Sequence, residues 1–187
     1  MNTNLKLICT ALILLVTFNI FADAPHYDRY TRTKPTPYTG EILDFYSTKK
    51  PYGEFSNFGL FPITVDGKRW PTSEHYYQAH KYDIEELQER VRLAKSPYLA
   101  AKIGRDPKIP KRTDWLEVKD GIMWKALLAK FTEYDSLREL ILSTGDSVIF
   151  EHTKNDCYWG DCGDRTGQNK LGKQLMMIRT MIIEGEL

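Results

Sequence analysis

Gly67-Lys68-Arg69-Trp70-Pro71-Thr72-Ser73-Glu74-His75-Tyr76-Tyr77-Gln78-Ala79-His80-Lys81 joins a turn, a tryptophan and a helix start in one run. Thr72 belongs to the class that caps helices, because its hydroxyl takes an orphan amide of the first turn. Glu74 then lies in that first turn, where the helix dipole favours a carboxylate. Gln78 follows at i+4 and Lys81 at i+7, so carboxylate, amide and ammonium share one face of a helix over 73–82. Upstream, Phe61 to Val65, the Asp66-Gly67 turn and Lys68 to Trp70 read as a hairpin feeding this helix.

Working outward, helical patterns cover 84–93, 97–103 (stopped by Gly104 and Pro107), 114–130, 136–143 and 169–183. Strand patterns cover 42–46 and 147–152. Strands scattered among many helices predict an α+β fold, a single helix-rich domain with a few short strands, and not a βαβ series. The 187 residues suit one domain, and 42% hydrophobic content suits a sizeable core. A formal net charge of +1 supplies no global basic field for nucleic acid. A small anionic ligand in a local pocket fits better.

A second polar stretch runs from Asn155 to Gly172 and includes Asp156, Trp159, Gly160 and Asn169. It reads as a long Gly-rich loop entering a helix N-terminus, where backbone amides can cradle an anion. It contains no G-x-x-x-x-G-K-[ST] run, so ATP hydrolysis is not implied. Its Cys157 and Cys162 are either a disulfide or two unpaired thiols. With no CxxC and no ligand spacing among His26, His75, His80 and His152, neither a metal nor another cofactor is expected.

These two stretches, with Pro51-Tyr52-Gly53-Glu54-Phe55-Ser56-Asn57-Phe58, Val118-Lys119-Asp120-Gly121-Ile122-Met123 and Leu142-Ser143-Thr144-Gly145, closely resemble the NADAR (NAD and ADP-ribose) family. The likeness runs from about Phe45 to Ile182. It implies hydrolysis of an N-glycosidic bond, in a ribosylamino-pyrimidine phosphate of the riboflavin pathway or in ADP-ribose attached to a base such as guanine. ADP-ribosylated nucleic acid is then a further possible partner. A non-catalytic NAD- or ADP-ribose-binding module and an exported interaction protein are the alternatives. The resemblance speaks for a live enzyme because Glu74, Lys81 and Asp156 are all present.

Cleaving such a bond builds positive charge on ribose and negative charge on the leaving base, so the site needs a carboxylate and an acid. Glu74 and Asp156 are the carboxylates inside the matched motifs. Glu74 is the candidate catalytic carboxylate, or a partner of the helix dipole. Asp156 binds ribose hydroxyls or orients water, or forms an Asx turn. Lys81 is either a neutral amine that attacks the sugar aldehyde carbon, giving a Schiff base, or a salt-bridge partner. Trp70 and Trp159 either sandwich a base or belong to the core. Asn57 reads the base edge or ribose, or serves a turn. Arg69 and Gln78 are further substrate contacts. Asn169 binds phosphate with the Gly160 to Gly167 backbone, or caps the last helix.

Before the domain, Lys6 precedes an apolar run from Leu7 to Phe21 and the small residues Ala22-Asp23-Ala24. Residues 1–24 read as a signal peptide or an N-terminal anchor, 25–40 as a Pro-rich tether, and 41–187 as the domain. Export to the periplasm or medium is the expectation, with no stable membrane partner beyond that segment. The run is short for a membrane span.

Overall fold

Ile42-Leu43-Asp44-Phe45 alternates exposed and buried side chains, the period of a strand with one face on a core. In the computed structural model, which describes residues 40–187, this is β1 (Ile42–Phe45). The export segment and the tether, Gly40 apart, lie outside the described residues. β1 pairs in parallel with β4 (Val148–Glu151), Ile42 opposite Val148 and Phe45 opposite Glu151. A parallel pair needs a long crossover. Here the crossover carries most of the domain.

Within it, β2 (Ile63–Val65) and β3 (Lys68–Trp70) form the expected hairpin, with Ile63 opposite Trp70. Asp66 and Gly67 take φ of 53° and 73°, as a tight hairpin turn requires. Then follow α1 (Ser73–Ala79), α2 (Glu85–Arg92), α3 (Pro97–Gly104), α4 (Trp115–Glu133) and α5 (Asp135–Leu142), and α6 (Lys170–Ile183) comes after β4. Thr72 caps α1, accepting the His75 N–H at 3.3 Å. Ser96 caps α3 in the same way from Leu99 at 3.3 Å, with Pro97 inside the first turn.

α4 is buried on two sides. Met123, Trp124, Leu127 and Phe131 pack with β1, β4 and α6, while Ala126 and Ala129 pack with the hairpin and α1. Each large side chain so buried contributes about 1.5–3 kcal/mol. Lys130, also on α4, is fully buried. Its Nζ donates to the carbonyls of Glu54 (2.5 Å) and Ser56 (3.0 Å) and so pins the segment that carries Asn57. Burial lowers its pKa to about 7. α1 is buried along its whole length, between α2, α3 and α4. Its polar residues must therefore find partners inside the protein or lose stability.

Candidate active site

Both parallel strands end at the same place. β1 runs on into Tyr46 and Ser47, β4 ends at Glu151 and runs on to Asp156, and these residues line one cavity of about 720 Å³. Chains diverge beyond the carboxyl ends of parallel strands, which leaves a crevice where ligands bind. α1 adds Glu74, Tyr77 and Gln78 to the wall, the segment pinned by Lys130 adds Asn57, and Arg105 closes it at the end of α3.

Glu74 is 4% exposed, and the Gln78 amide donates to its Oε1 at 2.7 Å. Burial raises its pKa, while that hydrogen bond and the charges of Arg105 and Lys81 work the other way. Asp156 Oδ1 accepts the amides of Tyr158 and Trp159, both at 2.8 Å, so an Asx-type turn aims the loop. Trp159 is half-buried. Its indole N–H donates to the Tyr77 hydroxyl at 3.0 Å, and its ring meets Tyr77 edge-on at 5.4 Å. Three buried acceptors on this wall, Asn57 Oδ1, Gln78 Oε1 and Glu151 Oε2, have no hydrogen-bond donor. Each such group costs about 1–3 kcal/mol. Their residues line the cavity, but these three atoms are themselves closed off from it, Gln78 Oε1 by Gly104 of α3.

Of the residues singled out in the sequence, Glu74, Asp156, Asn57, Gln78 and Trp159 line this cavity. Gly160 supports it from behind: a Cβ there would lie 2.8 Å from the carbonyl oxygens of Glu151 and Asp156, so only glycine lets the loop close on the end of β4. The others lie elsewhere. Successive residues of a strand face opposite ways. Trp70 accordingly turns into the core, edge-on to Tyr76 at 5.2 Å with its indole N–H on the Val65 carbonyl, and does not form a sandwich with Trp159. Arg69 turns outward to an ion pair with Glu133. Asn169 has both ends of its amide engaged by β4, with Oδ1 accepting from Glu151 N–H (3.1 Å) and Nδ2 donating to the Ile149 carbonyl (2.8 Å). It neither caps α6 nor faces a phosphate site.

Lys81 departs from the expected helix face, because α1 stops at Ala79 and Lys81 sits in the following turn. It is 7% exposed, with its ammonium 5.4 Å from the centroid of the Tyr77 ring and 5.6 Å from that of Trp115. It therefore lies next to a cavity wall and does not line it. Burial, with Lys111 nearby, lowers its pKa to about 8.

Cys157 and Cys162 form a disulfide with 4.4 Å between Cα atoms, directly after Asp156 and around Trp159 and Gly160. This resolves the choice left open in the sequence.

Sequence reasoning missed Glu151, Tyr77 and Arg105. Glu151 carried a usable signal, as the last residue of a strand that empties into the Gly-rich loop. Its Oε2 is out of contact with solvent. Burial, followed by repulsion from Asp156, Glu74 and Asp161, pushes its pKa up to about 8.

Residues 44–183 match the NADAR domain. N-glycosidase YbiA of Escherichia coli (strain K12) is 50% identical over 141 residues, which cover 75% of this chain and 88% of that protein. A riboflavin biosynthesis protein of Vibrio vulnificus (strain YJ016) is 39% identical over 140 residues, 75% of this chain but 38% of that one. The NMR structure of Escherichia coli YbiA aligns with a TM-score of 0.72 at 49% identity, covering 78% of this chain and 87% of that chain.

Proposed function

The chain belongs to the NADAR family, and on that premise we propose that it is an N-glycosidase that hydrolyses a ribosylamino-pyrimidine phosphate of the riboflavin pathway. The observation that carries this reading is the cavity itself. Buried Glu74, held by Gln78, shares the wall with Asp156, Trp159 and Arg105. An aminated pyrimidine on ribose phosphate matches that wall, with amino and hydroxyl donors for the carboxylates, a ring for the indole and a phosphate for the guanidinium.

In this reading Trp159 stacks on the base, and Arg105 takes the phosphate, as a fixed cation does well. Glu74 stabilises the positive charge that develops on ribose. Asp156 binds the ribose hydroxyls through the oxygen that the Asx turn leaves over. Lys81, with a pKa near 8, holds a neutral fraction of amine near neutral pH. Once its side chain turns past Tyr77, that amine can take C1′ of ribose as the pyrimidine amine leaves. The lysine glycosylamine then opens to an imine, and water releases the sugar. Borohydride added during turnover should leave the sugar covalently attached to Lys81. No adduct at saturating substrate removes Lys81 from the reaction.

One observation favours a longer ligand as a second reading. A recess of about 550 Å³ lined by Lys102, Arg105 and Lys108 adjoins the cavity through Phe58, Tyr98 and Arg105, and suits the diphosphate of ADP-ribose. The deciding experiment is mass-spectrometric analysis of the base released from ribosylamino-pyrimidine phosphates, from NAD and from ADP-ribosylated guanine in nucleic acid. Release of diaminopyrimidine supports the first reading and release of guanine the second. Release from none overturns both in favour of a binding module.

Export remains our reading of residues 1–24, supported by Lys6, the apolar run and the small residues after it. A full-length mass for the mature protein, recovered from the cytosolic fraction, would refute it.

A further inference from the structure

Glu151 is fixed at the end of β4 by its main chain. Its N–H is bound by Asn169 Oδ1 at 3.1 Å and its carbonyl accepts the Asp161 N–H at 3.1 Å, so both main-chain groups at the end of β4 are fixed. Gly160 closes the loop against that same carbonyl. The side chain lines the cavity, and its Oε2 is buried without a hydrogen-bond donor. A carboxylate in that position would be an orphan anion beside other carboxylates. A carboxylic acid in that position leaves the buried oxygen uncharged while the side chain stands at the cavity wall.

Resting on the N-glycosidase reading, we propose that Glu151 is the catalytic general acid, the group that protonates the departing nitrogen. As the bond from C1′ to nitrogen breaks, its electron pair stays on nitrogen, and the Glu151 proton moves to that nitrogen. The released amine is therefore neutral. Water supplies the oxygen that ends on C1′, and one of its protons restores Glu151. The balance is substrate plus water to sugar phosphate plus amine, with no other reactant. Glu74 and Asp156 keep the electrostatic and positioning roles given above, so the three carboxyls divide the work.

The surroundings favour the protonated form. Glu74 faces it from α1, and Asp156 and Asp161 from the loop after β4. Asp161 is bound to His152 Nδ1 at 2.8 Å and to Arg165 at 2.6 Å, while Arg105 is the cation on the cavity wall. Burial and the three acidic neighbours raise the Glu151 pKa to about 8, so the acid persists at neutral pH.

The test compares two substrates in the full chain. One is a ribosylamino-pyrimidine phosphate, whose amine leaves only when protonated. The other is 4-nitrophenyl ribofuranoside 5-phosphate, whose phenolate leaves unaided. Glu151→Gln should lower kcat on the first by about 10²–10⁴-fold and on the second by less than about tenfold. Wild-type activity on the first should fall above pH 8, and on the second it should not. Equal losses on both substrates, or unchanged activity on the first, overturn the proposal. If Glu151→Gln does not fold, the wild-type pH profiles decide alone: the same alkaline fall on both substrates refutes it. Failure of wild type to release any base is a different outcome, which removes the N-glycosidase reading itself.

Discussion

On one side of α1, His75 has both ring nitrogens engaged, by Thr72 Oγ1 at 2.8 Å and the Ala94 carbonyl at 3.1 Å. His80 Nδ1 meets the Tyr76 carbonyl at 2.7 Å, and the Tyr76 hydroxyl donates to Asp66 at 3.1 Å. On the other side, Gln78 spends its amide on Glu74 and leaves its own oxygen unmet, opposite Glu151 and Asn57 in the same condition. The two sides are equally buried and comparably polar. They differ in completeness. The closed side is scaffold and the other carries the cavity wall, although open groups are not confined to that wall, since Ser73 Oγ and Gln174 Oε1 are in the same condition.

The sharpest way to break this comparison is Glu74→Gln. Turnover should fall about 10³-fold or more, because the charge that meets the developing cation is gone. The fold should persist, since an amide is no harder to bury than a carboxylate. Base release and a thermal melt on the same sample check both halves. A stable variant with full activity would mean that the open side is not the catalytic one.

The tryptophans come next. Trp70→Ala should cost about 3–5 kcal/mol in a denaturant titration, as for a fully packed core aromatic. Trp159→Ala should cost less stability but raise KM tenfold or more, the equivalent of about 1–3 kcal/mol of stacking. Reversed effects would exchange their assignments.

Stability against pH separates the sides again. Folded Glu151 titrates near 8, against an ordinary 4.5, so the folded state holds a proton that the unfolded chain has released. That contribution is complete below about pH 4.5 and is lost as the pH rises towards 8. Burial depresses His75 and His80 below 6.5. The unfolded chain therefore takes up protons first, and stability falls as the pH drops below about 6.5. Lys130 and Lys81, at about 7 and 8 against an ordinary 10.5, add stability as the pH rises above 7 and oppose the Glu151 loss. The readout is therefore the difference in melting temperature between wild type and Glu151→Gln, which should fall from pH 5 to pH 8. The smallest effect is Thr72→Ala, about 1 kcal/mol for a lost helix cap.

Local physics made one side of this molecule legible. Capping predicts Thr72, periodicity aligns Glu74 with Gln78, and the Asp66-Gly67 turn predicts the hairpin. The helix and strand ranges follow within a residue or a few. What stayed hidden depends on pairing across the chain. β1 meets β4 about a hundred residues later, and that pairing alone brings Glu151 beside Glu74. Trp70 and Trp159 look alike in sequence, each beside a polar motif. Strand alternation sends the first inward, and the Asx turn at Asp156 sets the second at the cavity. Lys81 was misjudged by one turn, since the helix ends before the spacing does.

The bridge between Cys157 and Cys162 gives the enzyme a second variable besides its sequence. Opening so short a ring restores about 2 kcal/mol of chain freedom to the segment that aims Trp159 and Asp156. The same polypeptide then has two kinetic identities, chosen by the thiol chemistry of its surroundings. Assays with and without dithiothreitol should differ first in KM, because the stacking surface loosens before the fixed strand ends do. In a reducing medium the catalyst would carry every residue it needs, with its base platform adrift.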